Sequence, residues 1–109
     1  MVAWDSTALT QPDRRQAPRE DVYYRTRASA PGFGSVSVQI VDISANGFMA
    51  RTDAGFAAGD TLTVRLPVVG EINAEVRWAL GGRIGCQFSR MIALAPYLEL
   101  LGTLVKDAR

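Results

Sequence analysis

Thr61-Leu62-Thr63-Val64-Arg65-Leu66-Pro67-Val68-Val69-Gly70-Glu71-Ile72-Asn73-Ala74-Glu75-Val76-Arg77-Trp78 decides the fold. Leu62, Val64 and Leu66 fall on one side of a period-2 pattern, with Thr63 and Arg65 on the other. After Pro67 and Gly70 the pattern resumes: Ile72, Ala74, Val76 and Trp78 alternate with Asn73, Glu75 and Arg77. A repeat of two is the signature of a strand with one buried face, and Gly/Pro punctuation between two such runs marks a turn.

Outward from this hairpin the same grammar continues. Downstream, Gly81-Gly82 turns into Arg83–Phe88, with Ile84, Cys86 and Phe88 on one face. Upstream, Val22–Ala28 is aromatic and β-branched, and Pro31-Gly32-Phe33-Gly34 breaks it. Val36–Ile43 follows, with Val36, Val38 and Ile40 on one face. Ser44-Ala45-Asn46-Gly47 turns into Phe48–Thr52, and a loop from Asp53 to Asp60 carries Gly55 and Gly59. Six strands with no helix between them indicate a mainly β protein, a six-stranded antiparallel barrel or closed sandwich.

The period changes near Pro96. Tyr97, Leu98, Leu100, Leu101, Leu104 and Val105 recur at helical spacing, so a C-terminal helix is expected from about residue 95. Pro96 suits its first turn, and Lys106 complements the dipole at its end. The apolar face is read as core that plugs or flanks one barrel opening. Leu98, Leu101 and Val105 would also suit a second copy of the chain. The domain division is a flexible N-terminal arm over 1–20, with Pro12, Pro18 and mixed charge, and the barrel with its helix over 21–109.

Length and composition narrow the function. The chain has 109 residues, 48% hydrophobic and 21% charged, which favours one globular domain with one core. No apolar run reaches the roughly 18–20 residues of a membrane span, and Met1-Val2-Ala3-Trp4-Asp5 lacks the plan of a signal peptide. A cytoplasmic protein without membrane insertion is expected. With no histidine and one cysteine, serine–histidine and cysteine–histidine catalysis is excluded within the chain, as is an internal disulfide. No catalytic residue, metal site or cofactor is expected, and the protein is read as not an enzyme.

Net charge is only +1, which argues against DNA or RNA as partner. The arginines are nonetheless clustered, with Arg14, Arg15, Arg19, Arg25 and Arg27 inside one short stretch. Guanidinium forks suit phosphate oxygens and the O6/N7 edge of guanine. Further on, Asp42-Ile43-Ser44-Ala45-Asn46-Gly47 sets a carboxylate, a hydroxyl and a glycine on one tight turn. A carboxylate accepts from the amino and imino donors of a base edge. The two together suit a guanine nucleotide with exposed phosphates. Asp42 and Ser44 also suit a side-chain-stabilised turn, with Gly47 supplying positive φ or a close backbone approach. Asn46 tolerates the left-handed region. Cys86 reads as an inward small hydrophobe and Trp78 as core or rim packing.

The ordered set is an Arg-x-x-x-Arg arm (Arg15, Arg19), then Asp-x-Ser-x-x-Gly (Asp42, Ser44, Gly47), then Val76-Arg77-Trp78 and Gly85-Cys86-Gln87-Phe88. It resembles a PilZ domain, the bacterial receptor module for cyclic di-GMP, over roughly Arg14 to Phe88. The resemblance implies a PilZ-type barrel and a receptor that changes arm conformation on binding cyclic di-GMP and signals to a downstream protein. Its ligand residues would be Arg14, Arg15, Arg19, Asp42, Ser44 and Gly47. An arginine at position 14 is associated in the family with an intercalated ligand dimer, which implies two ligand molecules per domain. Asn46 stands where many relatives have glycine. The alternative is a PilZ-like adaptor of pilus or motility machinery that binds no nucleotide. A monomer or weak homodimer is expected.

Overall fold

The structure is a computed structural model that describes residues 18–107. Six strands, β1 (Glu20–Ala30), β2 (Gly34–Ile43), β3 (Gly47–Arg51), β4 (Thr61–Leu66), β5 (Gly70–Leu80) and β6 (Arg83–Phe88), precede one helix, α1 (Leu94–Asp107). They close into an antiparallel barrel in the order β1-β2-β3-β6-β5-β4. The expected mainly β barrel with a C-terminal helix is therefore the observed fold. The arm expected over 1–20 falls outside the described residues up to 17, and β1 already begins at Glu20.

Alternation builds the core as the sequence dictates. Leu62, Val64 and Leu66 of β4 point inward with Ala74 and Val76 of β5 and Ile84, Cys86 and Phe88 of β6. Val38, Ile40, Ile43, Phe48 and Ala50 fill the other side. Phe48 and Phe88 meet at 5.6 Å between ring centroids in a tilted pair. Burying a side chain of this size contributes about 1.5–3 kcal/mol each. Burial pushes the Cys86 thiol up to about 12, as befits a cysteine serving as an inward hydrophobe.

Three apolar positions of these patterns, Trp78, Leu98 and Val105, lie on the outside. Trp78 does not continue the inward row of Ile72, Ala74 and Val76. The β5–β6 register shifts between Val76 and Trp78, so Trp78 pairs with Gly85 on the outer face and is 42% exposed. A bulge adds one residue and flips every side chain after it. Gly85 makes room: a β-carbon there would overlap the Trp78 indole. In α1, Tyr97, Leu100 and Leu104 are buried, whereas Leu98 and Val105 face solvent. The buried stripe is narrower than the apolar spacing suggests. Through that stripe α1 joins the same core as Ile43, Phe48 and Phe88, and it packs against β1.

Candidate ligand site at the β2–β3 turn

The turn that carries the second motif is held from several directions. Ser44 N–H donates to the Gly47 carbonyl at 2.9 Å and closes the hairpin. Phe88 N–H donates to the Asn46 carbonyl at 2.8 Å, and Ile92 N–H to that of Ala45 at 2.9 Å. The end of β6 and the segment leading into α1 thus grip the turn. The Ser44 hydroxyl is buried and accepts from Asn46 N–H at 3.2 Å, and its own proton has no acceptor among the described residues. Asn46 does not adopt the left-handed conformation that the sequence allowed: Val68 is the sole positive-φ residue other than glycine among the described residues.

Gly47 resolves the same way. Its φ is not positive, and it is there for proximity: a β-carbon would overlap the Cys86 carbonyl oxygen and crowd Gln87. Of the two reasons the sequence offered for this glycine, close approach is the one realised. The result is a turn pressed flat onto β6.

Asp42 stands two residues before Ser44, where the β2–β3 register shifts between Ile40 and Asp42. The shift keeps Asp42 on the outer face while Ile43 points inward. Its carboxylate is clamped by Arg19: Nη2 donates to Oδ1 at 2.5 Å and Nε donates to Oδ2 at 3.3 Å. The fork is half exposed, whereas the carboxylate is only 17% exposed. Bidentate pairing of this kind is directional as well as charged. Directly across β1, Asp21 pairs with Asp42 in the strand register, so two like charges face each other. Facing carboxylates are unfavourable, and the Arg19 fork offsets that repulsion.

Below the turn, the Tyr97 hydroxyl donates to the Ile43 carbonyl at 3.4 Å. Burial raises its pKa, with Glu20 and Asp42 adding to the shift. The first part of α1 therefore senses the charge at this end of the barrel.

Of the six expected ligand residues, the structure brings together Arg19, Asp42, Ser44 and Gly47. Arg14 and Arg15 lie outside the described residues. Sequence reading set Arg77 on the outward row of its strand, among arginines of which one or two could rim the ligand site. Its Nη1 donates to Gln87 Oε1 at 2.8 Å, and Gln87 is the strand partner of Gly47. Arg77 therefore sits at the rim of the turn, which only the β3–β6 and β5–β6 registers disclose.

A small closed barrel with an arginine-clamped carboxylate at one hairpin turn is a binding module in plan. Among the described residues no group of three or more His, Cys, Asp or Glu side chains is placed to hold a metal ion. No helix among them is long and apolar enough to cross a membrane. The family model described as PilZ domain matches residues 13–106, most of the chain, and the protein belongs to that family. No curated protein matches the chain at a significant level.

Proposed function

We propose that this PilZ domain is a cyclic di-GMP receptor that signals to a partner protein. The observation that carries the reading is the Arg19–Asp42 pair on the rim of the Ser44–Gly47 turn. Both groups suit one ligand. The Asp42 carboxylate accepts from guanine N1–H and N2–H₂, which adenine does not offer. The Arg19 fork suits a phosphate or the O6/N7 edge. Discrimination of this kind is worth about 1–3 kcal/mol per bidentate contact.

In the free protein the two groups satisfy each other. Ligand binding then exchanges partners: guanine takes the Asp42 oxygens, and the freed Arg19 fork takes a phosphate. Arg14 and Arg15 supply further guanidiniums, and an intercalated ligand dimer with four phosphates gives each of them a partner. Moving Arg19 redirects the chain that enters β1, and a downstream protein reads that change. The Ser44 hydroxyl proton adds a neutral contact.

The test is isothermal titration calorimetry of the full chain with cyclic di-GMP, with GTP and cyclic di-AMP as controls. Saturation near two ligands per chain is expected, together with loss of binding in Arg19→Ala and Asp42→Ala. One ligand per chain would remove the ligand dimer and keep the receptor. A flat titration of folded protein would favour the second reading, a protein-contact adaptor, which the Asp21–Asp42 juxtaposition supports by adding negative charge where an anion must sit.

A further inference from the structure

Strand register aligns four outward positions across four neighbouring strands. Arg25 of β1 pairs with Gln39 of β2, Gln39 with Arg51 of β3, and Arg51 with Arg83 of β6. Arg83 in turn pairs with Leu80 of β5, which is almost fully exposed. Strands lie about 4.8 Å apart, so the row from Arg25 to Arg83 spans about 14 Å.

This row differs from the other arginines of the barrel. Arg27 donates to the Ser35 hydroxyl and carbonyl, Arg65 faces Glu71, Arg77 holds Gln87 and Arg19 holds Asp42. Arg25, Arg51 and Arg83 make no hydrogen bond or ion pair among the described residues. Arg51 and Arg83 stand directly opposite each other, an arrangement that is unfavourable without a counter-charge. Gln39 Nε2, in the row between Arg25 and Arg51, is shielded from solvent and has no hydrogen-bond partner among the described residues. An unsatisfied donor of this kind calls for an acceptor.

A groove of about 490 Å³ runs over the row, lined by Arg25, Gln39 and Arg51 with Val36, Thr52 and Asp53. A second, of about 390 Å³, continues past Thr52 and Asp53 to Leu80 and Arg83. Three guanidiniums therefore face one carboxylate, Asp53, with Val36 and Leu80 as apolar contacts.

We propose that this row is the docking surface for an acidic protein segment with carboxylates and apolar side chains interleaved. Charge complementarity selects the occupant: planar forks pair bidentately with carboxylates, and the Gln39 amide takes a carboxylate or carbonyl oxygen. The aromatic residue lining these grooves, Phe56 of the second, is buried and packed against Phe33 at 4.6 Å between ring centroids, so it offers no open face for the base stacking of a single-stranded nucleic-acid site. The surface begins three residues along β2 from Asp42, about 10 Å away, so a bound segment lies beside the nucleotide site. The surface rests on the receptor reading only in taking its occupant to be the downstream partner.

The test is run without nucleotide, so its failure and that of the receptor reading remain distinguishable. A fluorescein-labelled Glu-Leu-Asp-Leu-Glu-Glu-Leu-Asp peptide is titrated into the full chain at low salt, and amide shifts are followed by ¹⁵N NMR. Saturable binding with shifts centred on Arg25, Gln39, Arg51 and Arg83 is expected. It should weaken at least tenfold in an Arg51→Glu/Arg83→Glu variant whose thermal midpoint is unchanged, and stay near the parent value in Arg65→Glu. Absence of saturation, shifts centred elsewhere, equal weakening in Arg65→Glu, or displacement of the peptide by a single-stranded oligothymidine that binds the row more tightly would overturn the proposal.

Discussion

The β2–β3 and β5–β6 hairpins both turn in two residues and both use glycine, by opposite means. At Gly81-Gly82 both central residues have positive φ, 62° and 79°, the pattern of a type I′ turn whose twist matches the flanking strands. A β-carbon at either would meet nothing. The conformation of this turn follows local backbone preference, and its one bond from distant chain among the described residues is Thr52 N–H to the Gly82 carbonyl at 3.0 Å. At Ala45-Asn46 neither residue has positive φ, so the turn does not match strand twist by itself. It is held by Phe88 and Ile92 N–H groups from distant chain and by Gly47 lying against the Cys86 carbonyl. The plain hairpin is locally encoded, and the one bearing the candidate site is imposed by its surroundings. Gripped from both sides, Asp42 and Ser44 are placed by the core rather than by the turn.

The largest test of that contrast is Gly47→Ala. A methyl group has to displace backbone rather than a side chain tip, and a loss of about 3 kcal/mol is expected, read as a lowered denaturation midpoint. If Gly47→Ala were as stable as the parent, the close approach would not govern this turn.

Next in size is an alkaline effect from the same end of the barrel. The Cys86 thiol titrates at about 12 in the fold and near 9.0 when exposed. A raised pKa means the folded state holds its proton more tightly, so stability is intact below pH 9 and falls as pH rises towards 12. The expected slope is about 1.4 kcal/mol per pH unit, with Tyr97 adding to it above its ordinary range. Denaturant titrations from pH 8 to 10.5 would measure it, and Cys86→Ala should flatten the first part of the curve.

At the other hairpin, Gly82→Ala should cost only about 1 kcal/mol, because backbone strain acts there without a clash. Val68 makes the converse case. It has φ 70°, and Val69 N–H donates to the Pro67 carbonyl at 2.7 Å, a γ-turn around a β-branched residue. Val68→Gly should therefore gain up to about 1 kcal/mol in thermal unfolding. Smallest of all, Arg19→Ala should change stability by less than about 0.5 kcal/mol, since the Arg19 fork is half exposed to solvent. That near-neutrality makes it a clean probe of nucleotide binding.

The strands and their inward rows were legible because a period of two survives in sequence wherever one face is buried. Trp78 was placed on the wrong face because a bulge leaves the apolar spacing untouched while reversing its meaning. Leu98 and Val105 joined the helix face by spacing, though the core reaches only Tyr97, Leu100 and Leu104. The motif around Asp42 was legible as residues, and the conformations of Asn46 and Gly47 were not, since β6 and the α1 approach set them. The row from Arg25 to Arg83 was out of reach, because register between strands far apart in sequence leaves no local pattern.

The barrel is closed by an uneven seam. β1 meets β4 through only two register pairs, Ala28 with Val64 and Ser29 with Thr63, beside the Thr26 hydroxyl bond to the Arg65 carbonyl at 2.6 Å. β1 and β2, by contrast, pair along nearly their whole length. Thermal fluctuations that break few bonds are the frequent ones, so backbone amides along this junction should exchange with deuterium well before those of β2 and β3. While it is parted, β1 and β4 each present an unpaired edge of the kind that templates intermolecular sheets. Protection of those two edges thus rests on the shortest ladder in the barrel.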